Sequence, residues 1–164
     1  MLPETSKYKI IFFGTPKIAA DTLRSLHGAG FNIVGAVTQP DKPTGRQGTL
    51  TPPPVKVMSQ ELNIPVFQPA TIRDGQFLKQ LQELKPDLCI VISYGKIFPP
   101  EFFSIPPLGF INVHYSLLPT YRGASPLQTA IMNGDKESGI SVALLEPEVD
   151  SGPILAEKRL PIPN

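Results

Sequence analysis

The sequence has no tryptophan, one cysteine and two histidines among 164 residues. A single cysteine, Cys89, excludes any disulfide within the chain. It sits in the apolar run Leu88-Cys89-Ile90-Val91-Ile92, so it reads as a buried core thiol rather than a nucleophile. Two histidines and one cysteine, far apart, offer no metal-ligand spacing, and no metal is expected. No apolar run is long enough for a membrane-spanning helix, and no membrane partner is expected. Neither sign of charge dominates. Fifteen Lys+Arg against 14 Asp+Glu leave +1, so no strong field draws nucleic acid or anionic lipid. The balance is uneven, however. Residues 1–82 hold nine basic and five acidic groups and residues 83–164 six and nine, a mild dipole that can orient a polyanion without capturing it. The N-terminus, Met1-Leu2-Pro3-Glu4-Thr5-Ser6-Lys7, has no hydrophobic signal core and no Arg-rich amphipathic stretch, so a reducing, cytoplasmic location is expected.

Two phosphate-binding fingerprints are also missing. Only Gly14 follows the first apolar run, so G-x-G-x-x-G is absent and a nicotinamide-dependent oxidoreductase is excluded. No G-x-x-x-x-G-K-[ST] occurs either.

What is present is 41% hydrophobic residues, against disorder, in a length that suits one domain over 1–164. Twenty prolines, well above the usual share of about 5%, punctuate element ends rather than forming a tract. Lys9–Phe13 reads as a buried strand, Lys17–Gly28 as a helix and Asn32–Thr38 as a second strand. Gln39–Pro54 has five prolines, two glycines and no core periodicity, and reads as a long irregular loop. Helices are expected at Val55–Leu62, Asp74–Leu84 and Pro126–Asn133. Strands are expected at Pro65–Phe67, Leu88–Ile92, Phe110–His114, Gly139–Leu145 and Ile154–Leu160, the last amphipathic. Helices alternating with continuous apolar strands predict an α/β fold: an open, mostly parallel, Rossmann-like sheet with helices on both faces. Ligands in such sheets bind beyond the carboxyl ends of the strands, where Phe13-Gly14-Thr15-Pro16, Tyr94-Gly95 and His114 fall.

His27, beside Gly28 at a helix end, reads as an exposed residue favoured by the helix dipole. Asn112 and His114 lie two apart on one strand and share a face. Asp150 follows the next strand, in an acidic turn. Taken alone, each has an ordinary reading as a satisfied polar pair or a solvated turn. Together, Asn, His and Asp at neighbouring strand ends make a plausible acyl-transfer site. The carboxylate orients the imidazole, and the amide and the ring donate to a developing oxyanion. No Ser or Cys nucleophile is needed if the substrate brings its own amine.

Ile111-Asn112-Val113-His114-Tyr115-Ser116-Leu117-Leu118-Pro119, followed by Tyr121-Arg122-Gly123-Ala124-Ser125-Pro126, resembles the signature of the folate-dependent formyltransferases. Gly134–Gly139 and Asp150-Ser151-Gly152-Pro153-Ile154 extend the resemblance. Phe12–Pro16 and Thr38-Gln39-Pro40-Asp41-Lys42-Pro43-Thr44-Gly45-Arg46 resemble the methionyl-tRNA formyltransferase branch in particular.

The resemblance implies the formyltransferase fold and transfer of a formyl group from 10-formyltetrahydrofolate to the α-amino group of methionyl initiator tRNA. The amine would attack directly, with no covalent enzyme intermediate. It implies Asn112, His114 and Asp150 as the catalytic set, with Asp150 holding His114 cationic. It implies Tyr94, Gly95, Ile97, Ser116, Leu117, Leu118 and Pro119 at the folate. Phe13 and Gly14 are expected near the methionyl end, and Lys42 and Arg46 on the tRNA. A monomer is expected. The family's chains ordinarily continue into a small β-barrel that helps hold tRNA, and basic residues ordinarily follow Arg46. Here Gln47-Gly48-Thr49-Leu50 stand there and the sequence stops at Asn164, so tRNA binding is expected to suffer more than the chemistry. Two other readings fit the trio. One is a sugar-nucleotide formyltransferase or a formyltetrahydrofolate hydrolase; the other is a catalytically silent folate- or RNA-binding module.

Overall fold

Strands that are apolar at successive positions need cover on both faces. A computed structural model, which describes residues 6–73 and 75–163, shows how this chain supplies it. In chain order its elements are β1 (Ile10–Gly14), α1 (Lys17–Gly28), β2 (Ile33–Val37), β3 (Lys42–Thr44), β4 (Thr49–Thr51), α2 (Pro54–Glu61), β5 (Val66–Phe67), α3 (Gln76–Leu84), β6 (Leu88–Ile92), β7 (Phe110–His114), α4 (Pro126–Met132), β8 (Glu137–Leu144) and β9 (Ile154–Pro161). A 3-10 turn at Pro100–Ser104, which no sequence signal marked, buries Phe102. Seven strands form one sheet in the order β5-β2-β1-β6-β7-β8-β9. The first five run parallel, and β8 and β9 are antiparallel to their neighbours.

Alternation along β1 divides its side chains between two cores. Ile10 and Phe12 pack with Ala19, Ala20 and Leu23 of α1 and with Val55 and Met58 of α2. Ile11 and Phe13 pack on the other face with Phe77 and Leu81 of α3 and with Phe102. Phe77 and Leu81 are four apart, one helical turn, and are buried completely or nearly so. Each such side chain contributes about 1.5–3 kcal/mol by leaving water. Cys89 lies within this second core, and burial pushes its thiol pKa up. The mostly parallel α/β sheet with helices on both faces is therefore as anticipated.

Three elements differ from the sequence reading. Gln39–Pro54 is not irregular: β3 and β4 pair as an antiparallel hairpin, with Lys42 opposite Thr51 and Thr44 opposite Thr49. Gly45 and Gly48, with φ of +71° and +63°, turn its tip. Every strand residue of the hairpin is exposed, so no apolar periodicity could have marked it. Strand β8 starts at Glu137, two residues before the expected Gly139, because its first residues pair with β9 rather than with a core. Strand β9 is exposed along its whole length, not amphipathic. The expected helix start at Asp74 lies outside the described residues, and α3 begins after Gly75, whose φ is +73°.

The chain order reverses direction between β1 and β6. β2 and β5 lie to one side of β1; β6 and β7 lie to the other. The crevice beyond the carboxyl ends of these strands is where open α/β sheets hold ligands.

Candidate active site

Strand β7 ends at the crevice and carries Asn112 and His114 on one face. The sheet pairs them with Ala143 and Ser141 of β8, and β8 leads into the turn that holds Asp150. Gly152 is required in that turn. A Cβ there would come 1.9 Å from the Leu144 carbonyl oxygen, so only glycine lets the turn fold back onto β8. Asp150 itself has φ of +50°, a region that Asp tolerates better than most residues.

The three side chains meet. Asn112 Nδ2 donates to Asp150 Oδ1 at 3.1 Å. The Gly123 amide donates to Asp150 Oδ2 at 2.8 Å. His114 Nδ1 lies 3.6 Å from Asp150 Oδ2, and its Nε2 lies 2.8 Å from the Tyr121 carbonyl. A carbonyl only accepts, so Nε2 carries a proton. At 3.6 Å, the Nδ1 edge is beyond ordinary hydrogen-bond range of Asp150. One Asn112 amide hydrogen and the Nδ1 edge of His114 therefore remain to meet a ligand, beside a carboxylate with spare lone pairs.

Tyr121 sets this geometry from a left-handed backbone, φ +56°. Its hydroxyl donates to Asp135 Oδ2 at 2.7 Å and accepts from Asn133 Nδ2 at 2.9 Å. The end of α4 thus clamps the ring, and the clamp aims the carbonyl at His114. Gly123, two residues on, reaches Asp150 from a φ of +100°. The loop 121–123 holds both members of the His–Asp pair.

Two cavities open on either side of Asn112 and His114. The first, about 410 Å³, is walled by residues 93–98 and by the 145–150 turn. Val91, Phe98, Phe103 and Leu145 make it apolar, and Asn112, His114 and Asp150 supply its polar edge. The second, about 350 Å³, lies between the starts of α1 and α4, with Pro16, Ile18, Pro126 and Leu127 in its walls. Ser93, Asn112, His114, Gly123 and Ala124 border both. A volume of a few hundred Å³ with few polar groups suits a small-molecule site.

Of the residues expected at the folate, Tyr94, Gly95 and Ile97 line the larger cavity. Tyr94 presents its backbone to a polar network while its ring stacks on Phe98; burial raises its phenol to about 12. Ser116, Leu117, Leu118 and Pro119 line neither cavity. Ser116 and Leu118 are buried. The Ser116 hydroxyl donates to the Thr120 carbonyl, and the Leu118 amide donates to Ser141 Oγ. Leu117 packs over Gly139, where a Cβ would come within 2.5 Å. The Leu118–Pro119 peptide is cis. Ser116, Leu117 and Leu118 thus tie the loop after β7 to β8. Phe13 and Gly14 also line neither cavity. Phe13 lies in the aromatic core with Phe77, Tyr94, Phe98 and Phe110. Gly14 is a packing glycine: a Cβ would come 2.7 Å from Ala19 Cβ. Lys42 and Arg46 are exposed, on β3 and the hairpin tip. His27 is exposed near the end of α1, as read. Among the described residues no group of His, Cys, Asp and Glu could hold a metal ion, and no helix is long and apolar enough to cross a membrane.

Sequence reasoning missed Ser93, Tyr121, Gly123, Ala124, Ile18 and Leu127. Tyr121-Arg122-Gly123 stood in the motif that carried the resemblance, but the roles of Tyr121 and Gly123 are made by backbone groups, which residue types do not reveal.

An open α/β sheet with a histidine and a carboxylate beside two cavities, beyond the ends of its strands, is the arrangement in which such folds hold small molecules. Residues 8–164 match the formyl transferase family model, and the chain belongs to that family. It is 49% identical over 154 residues to a methionyl-tRNA formyltransferase from Kosmotoga olearia, with 94% of this chain and 50% of the relative covered. It is 46% identical over 153 residues to one from Lysinibacillus sphaericus, covering 93% of this chain and 49% of the relative. The chain thus spans about half the length of the curated relatives it matches. Among solved structures, a phosphoribosylglycinamide formyltransferase from Bacillus halodurans superposes with a TM-score of 0.75 at 20% identity, over 94% of this chain and 80% of that one. A formyltetrahydrofolate deformylase from Pseudomonas syringae gives a TM-score of 0.72 at 21% identity, over 95% and 52%. These two likenesses show the shared fold.

Proposed function

We propose that this chain transfers a formyl group from 10-formyltetrahydrofolate to the α-amino group of methionyl initiator tRNA. The observation that carries the reading is the placement of Asn112 and His114 on the border of two cavities, one for a donor and one for an acceptor, with Asp150 beside them in the larger. The larger cavity takes the pterin, whose flat apolar faces suit Val91, Phe98 and Leu145 and whose polar edges suit the backbone of residues 93–98. The smaller takes the methionyl end, between Ile18 and Leu127. In this reading Ser116, Leu117, Leu118 and Pro119 contact the folate and Phe13 and Gly14 lie near the methionyl end, although none of the six lines either of these two cavities.

The acceptor's amine attacks the formyl carbon. A new C–N bond forms, the bond to the folate nitrogen breaks, and one amine proton ends on that nitrogen. Negative charge develops on the formyl oxygen, where the second Asn112 amide hydrogen and the Nδ1 edge of His114 converge. Asp150 lies against the His114 ring, 3.6 Å from Nδ1, and relays the amine proton through its spare lone pairs. Preorganised donors of this kind are each worth about 10²–10³ in turnover. Lys42 and Arg46, projecting on the hairpin, contact tRNA phosphates near the unpaired acceptor end. The reaction belongs to the cytoplasm, where translation begins.

The test compares acceptors. Charged initiator tRNA, glycinamide ribonucleotide, an amino-sugar nucleotide and water are each offered with 10-formyltetrahydrofolate. Formylation of the methionyl amine above the others supports the reading. Formate release alone, as from a hydrolase, contradicts it.

A further inference from the structure

A chain of buried and half-buried polar groups runs from the donor cavity to the hairpin, and none of its members belongs to the catalytic trio. The carbonyl of Tyr94, a residue of the cavity wall, accepts from Gln39 Nε2 at 3.0 Å and from Thr15 Oγ1 at 3.1 Å. The Gln39 carbonyl accepts from Gln68 Nε2 at 3.0 Å. The same Gln68 nitrogen donates to Asp41 Oδ1 at 2.7 Å. Asp41 stands immediately before β3 and receives both of its oxygens' further bonds from Lys56 Nζ, at 2.9 and 2.8 Å. Lys56 lies on α2, just after β4 and Pro53. The ion pair is 22% exposed on each side.

Both ends of the hairpin are therefore gripped at its base. Asp41 holds the entry, Lys56 the exit, and Gln68 ties the pair to the cavity wall. The rest of the hairpin makes no such anchor, since its strand residues are all exposed. A second sign of proximity comes from Lys96, in the same cavity wall. Burial lowers its pKa most, and the like charge of Lys42 on β3 lowers it further.

We propose that Asp41 is a positioning residue that couples the donor cavity to the hairpin: a filled cavity fixes the Tyr94 carbonyl, and Gln39, Gln68 and Asp41 pass that constraint to β3. The proposal rests on the donor reading of the larger cavity. It adds that the donor orders the element that reaches for the acceptor. The observation behind it is a contiguous hydrogen-bonded path from the cavity wall to the base of the hairpin.

Hydrogen exchange across residues 42–51 tests it, with 5-formyltetrahydrofolate as an unreactive donor probe. In the wild-type chain the probe is expected to slow exchange in the hairpin about threefold or more. Asp41→Asn and Gln68→Ala are expected to abolish that slowing while binding the probe within about threefold of wild type. Gln68→Ala matters most, because it leaves the Asp41–Lys56 pair intact and cuts only the link to the cavity. Lys56→Arg, which keeps the charge, is expected to retain the slowing. Probe binding with no hairpin slowing in the wild type overturns the coupling and leaves the donor reading standing. Slowing that persists in Gln68→Ala also overturns it. A wild-type chain that does not bind the probe removes both.

Discussion

His114 is buried, and each ring nitrogen faces an acceptor from a different part of the chain. Truncating it leaves the Tyr121 carbonyl without its partner, a cost of about 1–3 kcal/mol for a buried group. That is tolerable for a folded domain, so His114→Ala is expected to keep its circular dichroism and lose about 10²–10³ in kcat. Near-wild-type turnover in that variant would remove His114 from the transition state. Tyr121→Phe probes the same bond from behind. It deletes the hydroxyl that Asp135 and Asn133 clamp, yet leaves the carbonyl in the chain. We expect kcat to fall while KM for either substrate holds, and steady-state kinetics separates the two. Cys89 supplies a contrast. Its thiol is buried and its pKa raised, so thiolate is scarce and a thiol reagent should label it only when the chain unfolds.

The elements differ in what fixes them. β1 and α1 are fixed by close contact at Gly14, where an added Cβ would meet Ala19, Phe12 and the Ile92 carbonyl at 2.7–3.0 Å. Backbone cannot step aside cheaply, so Gly14→Ala is expected to cost about 1–3 kcal/mol, read as a lower thermal midpoint. The hairpin is fixed instead by Asp41, whose carboxyl is held below the usual carboxylate range, chiefly by Gln68 and then by Lys56. A folded value below the unfolded one means that protonation opposes folding. The contribution is complete above the unfolded value and is lost as pH falls through the folded one. Thermal midpoints of the wild type should therefore fall more steeply below about pH 4 than those of Asp41→Asn. An equal fall in both would detach the hairpin's base from Asp41.

These contrasts also explain what the sequence could show. The strands of the sheet and the helices that cover them were legible because burial imposes periodicity on Ile10–Phe13, Leu88–Ile92 and Phe77/Leu81. The hairpin was not, because its pairing is between backbones and all its strand side chains face water. Asn112, His114 and Asp150 were legible as residue types at strand ends. The second cavity was not, since it takes its walls from the starts of both α1 and α4, which are far apart in the sequence.

Taken whole, the molecule carries little charge for a nucleic-acid partner, +1 in all. If Lys42 and Arg46 make the phosphate contacts, about two counterions are released. The logarithm of initiator-tRNA affinity should then fall with the logarithm of salt at a slope of roughly −1.4 to −1.8. A slope several times steeper would mean that the catalytic sheet carries a larger RNA surface of its own. The central claim is narrower than RNA binding: the trio beside two cavities moves a formyl group from folate to an amine. Single-turnover transfer of a radiolabelled formyl group from 10-formyltetrahydrofolate, with saturating methionyl initiator tRNA, tests it most directly. The label should appear on the methionyl amine, and both Asn112→Ala and His114→Ala should slow its arrival by about 10²–10³. Label recovered as formate, or transfer undiminished in both variants, would contradict the account.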